Sequence, residues 1–231
     1  MRLKLLLASA AIAATVAVPV SANAFTVLYD NLGATTGGSD AAASFGPLGN
    51  SFFTGASAPT ISQFDILLSG IGGDGGTFQL QIVTDNPGSG PGSTVLYSSG
   101  NISDNILSAS PTDVNVSFAP VVLSASNRYW ITLTADALSS VAWAWAVDNS
   151  GTGTGGEFYA SNSGIFSNDD PPFPTCIFAG SACGGQPYQM RVTDEPAVAT
   201  TPLPGALPLL ASGLGALGIA GWRRKRKSRA A

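Results

Sequence analysis

Hydrophobic and polar positions alternate with a period of two along several short stretches of this chain. In residues 77–84, Phe78, Leu80 and Ile82 alternate with Thr77, Gln79 and Gln81. Val114, Val116 and Phe118 alternate with Asp113, Asn115 and Ser117, and Tyr188, Met190 and Val192 alternate with Gln189 and Arg191. Successive strand side chains point to opposite faces, so this pattern predicts antiparallel strands covering a core on one side. Residues 61–68, 128–135 and 141–147 are more apolar throughout and are expected to be central strands. Shorter candidates are 26–30, 51–54, 95–98, 121–123 and 157–160. Gly, Ser, Asn and Pro cluster between them, marking 70–76, 85–92 and 149–156 as turn-rich connections. About ten strands in roughly 170 residues predict an all-β, two-sheet antiparallel sandwich of the jelly-roll type.

The two ends read differently. Arg2 and Lys4 precede an uncharged, mostly apolar run over 5–18, then Pro19 and the small-x-small triplet Ala22-Asn23-Ala24. These are the three parts of a secretory signal peptide over 1–24, with signal peptidase cutting after Ala24 to leave Phe25 first. At the other end, residues 203–222 hold 20 uncharged positions, enough to cross a hydrocarbon core of ~30 Å as a helix. Trp222 stands at the interface position, and Arg223, Arg224, Lys225, Arg226, Lys227 and Arg229 follow it. Such a basic cluster holds its end in the cytoplasm, which places the preceding domain outside. The expected organisation is a β-sandwich over 25–193, a linker over 194–201 and a C-terminal segment over 202–231.

That C-terminal segment resembles the PEP-CTERM family of bacterial sorting signals, in the variant reading Val-Pro-Leu-Pro-Ala. The likeness rests on Pro202-Leu203-Pro204-Gly205-Ala206, the apolar run and the basic end, in that order. Thr201 and Gly205 stand where that variant has Val and Ala. The resemblance implies an exosortase-like processing enzyme as partner, cleavage near the Pro-Leu-Pro motif, and loss of the helix. The alternative is a retained single-span anchor, with small residues such as Ala211 and Gly215 four apart as a helix-packing face.

Charge sharpens the picture. Between the two ends the chain holds two basic residues, Arg128 and Arg191, against all fourteen of its Asp and Glu, a formal charge of −12. A domain so acidic repels phosphate backbones, which argues against nucleic-acid binding. The chain has no His, so the commonest general base and metal ligand is missing and most hydrolytic mechanisms are disfavoured. No catalytic activity is expected.

The middle resembles the choice-of-anchor domains of exported bacterial proteins, type R most closely. The matching stretches include Tyr29-Asp30-Asn31-Leu32-Gly33, Ser51-Phe52-Phe53-Thr54-Gly55, Arg128-Tyr129-Trp130-Ile131-Thr132-Leu133, Trp143-Ala144-Trp145 and Pro187-Tyr188-Gln189-Met190-Arg191-Val192. The resemblance implies a surface or matrix module and carries no enzymatic activity with it.

Candidate chemistry is sparse. Cys176 and Cys183 share a loop rich in Pro and Gly, and in an exported protein they are expected to form a disulfide. Trp143 and Trp145 lie on an apolar strand and are expected in the core. Trp130 shares its face with Thr132 and Thr134 and is the candidate exposed aromatic for a ligand. No cofactor or metal is expected. Calcium is the one ion that the oxygen-rich loops at Asn168-Asp169-Asp170 and around Asp74 would suit, but no spacing matches a defined calcium loop, and solvated turns are the favoured reading. Asp30, Asp65, Asp85, Asp113, Asp136 and Asp148 read as strand-flanking turn residues. A glycosidase needs two opposed carboxylates; Glu157 could be one of them with some Asp as the other, but no spacing selects a pair. The expectation is an exported, acidic protein of the cell envelope, surface or extracellular matrix. The alternative is a lectin-like module that recognises extracellular polysaccharide.

Overall fold

A computed structural model describes residues 25–71, 75–169 and 186–195; all belong to one unit, Ala24–Ala197. The described residues form, in chain order, β1 (Thr26–Asp30), β2 (Thr36–Ala41), β3 (Leu48–Phe53), β4 (Thr60–Ser69), β5 (Thr77–Asn86), β6 (Gly90–Ser98) and β7 (Ile102–Ser103). Then follow β8 (Thr112–Val122), β9 (Arg128–Ala135), β10 (Ala142–Ala146), β11 (Phe158–Ser161), β12 (Gly164–Ser167) and β13 (Met190–Asp194). One helical turn, α1 (Ala42–Phe45), separates β2 from β3. The all-β expectation therefore holds.

Two antiparallel sheets build the unit. In the first, β4 pairs with β8 along one edge and with β13 and then β10 along the other; β1 continues beyond β13 and β2 beyond β10. The second runs β12-β11-β3-β9-β5-β6, with β7 beside β5. Both sheets feed one apolar core. Phe64, Ile66 and Leu68 of β4 meet Leu80 and Ile82 of β5 and Ile131 and Leu133 of β9. The period-two pattern read along β5 separates these core positions from Thr77, Gln79 and Gln81, which stay half-buried on the other side.

The central strands fall where their apolar character put them, with β4 and β9 each paired on both edges. Trp143 is fully buried, stacks on Tyr188 with ring centroids 4.8 Å apart, and donates Nε1 to the Gln189 carbonyl at 2.9 Å. Trp145 lies over β2, where a Cβ at Gly37 or Gly38 would collide with its ring. That need for space explains an edge strand with the sequence Thr-Gly-Gly-Ser-Asp-Ala, which propensity argues against.

Three expectations are corrected. The sequence pattern does not predict the strands β2, β7 and β12. Residues 112–122 form one strand rather than two, because a register shift between Ile61 and Gln63 of β4 absorbs Pro120 as a bulge. Only 87–89 separate β5 from β6, so most of the connection expected over 85–92 is strand. Here too register shifts beside Val83 leave β6 with extra residues between Pro91 and Val95. The signal peptide, the C-terminal helix and its motif, and Cys176 and Cys183 lie outside the described residues. Among those described, no helix is long and apolar enough to cross a membrane.

Candidate functional site on the outer face of the second sheet

Strand β9 turns Tyr129, Ile131 and Leu133 into the core, so its alternate residues Arg128, Trp130, Thr132 and Thr134 line the outer face. Registers on both sides extend those rows. Ser51 of β3 and Val83 of β5 flank Trp130, while Gly49 and Gln81 flank Thr132.

The exposed aromatic expected at position 130 is instead interior. Trp130 is 1% exposed and packs with Val83, Phe158 and Ala160 in a small apolar cluster separate from the main core. Its Nε1 donates to Asp85 Oδ1 at 2.7 Å. The pattern around β9 correctly put this indole on an outer face. It gave no sign that the β5–β6 and β11–β12 hairpins rise over that face. Their contact explains one glycine: Gly90 has φ +86, and a Cβ there would press into Ile165.

Three hollows lie along β9 between these hairpins. The first, of about 450 Å³, has Gln81, Thr132 and Thr134 on its floor and Pro91, Asn162 and Ile165 around it. The second, of about 370 Å³, lies by Trp130 and Phe158 and shares Ser89 and Ile165 with the first. The third, also about 370 Å³, lies between Phe53, Tyr129 and Pro87 and shares Asp85 and Arg128 with the second. Shared walls make the three one groove.

Its ionic groups are already engaged. Glu157 is 3% exposed and accepts from Ser51 Oγ at 2.5 Å and from Arg128 Nε at 3.0 Å. Burial pushes its carboxyl above the usual range, against the opposing pull of Ser51 and Arg128. Arg128 also donates Nη2 to the Gly156 carbonyl at 2.9 Å and lies 4.7 Å above the Phe158 ring. Glu157 therefore serves as a buried structural counter-ion, and Asp85 acts on it through charge without a hydrogen bond.

The remaining acidic residues are dispersed. Asp65 lies within β4, not at a turn, and takes Arg191 through Nε at 2.9 Å and Nη2 at 2.7 Å. Asp113 likewise sits inside β8. Asp136 and Asp148 cap turns as expected, accepting from Leu138 and Ser150 backbone N–H groups. Asn168 is no solvated turn residue: it is 1% exposed, with Nδ2 directed to Tyr29 Oη and the Thr154 carbonyl. Asp169 caps Gly156 N–H and accepts from Asn149. Among the described residues no three His, Cys, Asp or Glu gather as a metal site; Asp74 and Asp170 lie outside them.

Ser51, Glu157 and the Thr132–Gln81 floor were not singled out as a constellation by the sequence. One signal pointed there: Arg128 is one of only two basic residues between the ends, and an Arg so isolated is best explained by a specific partner. Comparison with known families, curated proteins and solved structures finds no match to this chain.

Proposed function

We propose that this is an exported, acidic, non-catalytic module of the cell surface or extracellular matrix, delivered through a C-terminal sorting signal. The observation that carries the reading is the order Pro202-Leu203-Pro204, 20 uncharged residues over 203–222, then six basic residues from Arg223 to Arg229. That order would arrest the chain in the membrane with its domain outside, and an exosortase-like enzyme would then cut near the motif. The described unit suits such delivery, because Thr26 pairs with Asp194 and its two ends therefore leave from adjacent strands.

The finer fold assignment is a jelly roll. Eight strands support it: β2-β10-β4-β8 neighbour one another in one sheet and β3-β9-β5-β6 in the other. The chain passes between the two sheets in the order that two Greek keys require.

The intact mass of the mature protein from its native host tests the sorting reading. The expected species begins at Phe25 and lacks Trp222. A species that begins at Phe25 and retains Trp222 would leave a permanent anchor and overturn processing. A second reading, a lectin-like module, is favoured by the groove along β9.

A further inference from the structure

We infer that the groove along β9 binds a linear, uncharged polysaccharide, held without calcium, with its axis running from Thr134 toward Arg128. This rests on the lectin-like reading and assigns it a site and a ligand class.

Length comes first. Arg128 and Thr134 are six residues apart in an extended strand, about 20 Å at ~3.3 Å per residue, and the three hollows follow that line. A trough of this length with shared, open walls suits a chain that passes through it better than an enclosed small molecule.

The lining then selects the chemistry. Thr132 is 6% exposed yet lines the first hollow, and its hydroxyl has no partner among the described residues. Thr134, half-buried, and Ser89, exposed, also line this hollow with hydroxyls that have no partner among the described residues. Gln81 donates Nε2 to Gln79 at 2.9 Å, which leaves its carbonyl oxygen as an acceptor. Beside these polar groups stand Val83, Pro91 and Ile165. A pyranose chain offers matching surfaces, with C–H faces for the apolar wall and hydroxyl edges for the amide and hydroxyls.

Charge separates the alternatives. The first hollow has no ionisable residue in its lining. Arg128, the cation farther along, is held by Glu157 and Gly156. A polyanion would therefore find no unpaired cation and a domain of strongly negative sign. An extended peptide is disfavoured for another reason. The groove crosses a sheet face whose strands β9 and β5 are paired, so it offers no free backbone edge for strand addition.

The full-length protein in detergent micelles, applied to an array of linear oligosaccharides both uncharged and uronate-bearing, tests the inference. Binding to uncharged chains is expected, unchanged by EDTA. Thr132→Val removes one hydroxyl at nearly constant volume and should weaken it about five- to tenfold, the worth of one hydrogen bond. Thr134→Trp should fill the first hollow and abolish binding, while Gln63→Ala on the other sheet should leave it unchanged. Unaltered melting temperatures show that the variants are folded; if Thr134→Trp is not, Thr132→Val decides. Binding only to uronate chains, or only with calcium, overturns the inference and leaves a lectin-like module. So does binding to uncharged chains that Thr132→Val leaves intact. Binding to no member of the array overturns both.

Discussion

The two sheets each turn one arginine outward against a carboxylate, and the surroundings of the two pairs differ. On the first sheet, Asp30, Arg191, Asp65 and Asn115 form one cross-strand row over β1, β13, β4 and β8. Arg191 grips Asp65, and Asn115 Nδ2 reaches the other carboxylate oxygen at 2.8 Å. The Arg191 side chain keeps 40% of its exposure. On the second sheet, Arg128 and Glu157 lie under the β5–β6 and β11–β12 hairpins beside a buried Trp130. Similar pairs thus differ in degree: Arg128 and Glu157 keep 28% and 4% of their side-chain exposure, against 40% and 11% for Arg191 and Asp65. Burial by chain elements far away in sequence, rather than residue type, decides which surface becomes a site.

The contrast breaks most readily at its apolar centre. Trp130→Ala should cost about 4 kcal/mol, the range for truncating a fully buried aromatic, measured as the shift in urea midpoint. Leu67, an outward, half-buried residue of β4, should cost about 1 kcal/mol or less when changed to Ala. Equal costs would mean that the hairpins do not bury the second sheet's outer face in solution.

The ion pairs give the next largest difference. Arg128→Met leaves Glu157 buried with Ser51 as its remaining side-chain donor, and removing one partner of such a pair costs about 3 kcal/mol. Arg191→Met leaves Asp65, whose side chain is 11% exposed, with Asn115 as its remaining side-chain donor, and about 2 kcal/mol is expected, between the exposed and the buried cases. The ratio of the two costs measures how far the hairpins exclude water. A ratio near one would place both pairs in the same dielectric environment.

How much of this was legible in the sequence depends on distance along the chain. Alternation at 77–84 and the apolar run at 128–135 located β5 and β9, because a strand's buried face leaves a local signature. The strand β2 left none: its Thr-Gly-Gly-Ser-Asp-Ala run is shaped by Trp145, more than a hundred residues away. Trp130 shows the same limit at the site. Its outer-face position followed from its neighbours in sequence, whereas its burial depends on Phe158 and Ala160, and Glu157 reaches Arg128 from the same distant segment. The groove is a product of hairpins closing over a sheet, and period-two patterning has no term for what covers a face.

The smallest expected effect, a dependence on pH, also distinguishes the faces. Burial raises the Glu157 pKa above its ordinary value, so the folded state binds that proton more tightly than the unfolded chain. Stability from this group is therefore greatest below the ordinary glutamate range of about 4.3 and declines as pH rises through the raised folded value. Asp113 on the first sheet is raised as well, by partial burial and then by the Asp65 carboxylate, so it adds to the same window. Asp136 and Asp148 run the other way, lowered chiefly by hydrogen bonds from the Thr77 and Ser150 side chains. Their contribution is complete above about 3.9 and is lost as pH falls through their lowered values. Urea midpoints taken from about pH 3 to 7 should then rise as pH drops toward the ordinary glutamate value of about 4.3 and fall again in stronger acid. Glu157→Gln should flatten most of the rise, Asp113→Asn only a smaller part, and neither should alter the acid limb. A wild-type midpoint that falls steadily from pH 7 would mean that water reaches Glu157 as freely as it reaches the cross-strand row on the opposite sheet.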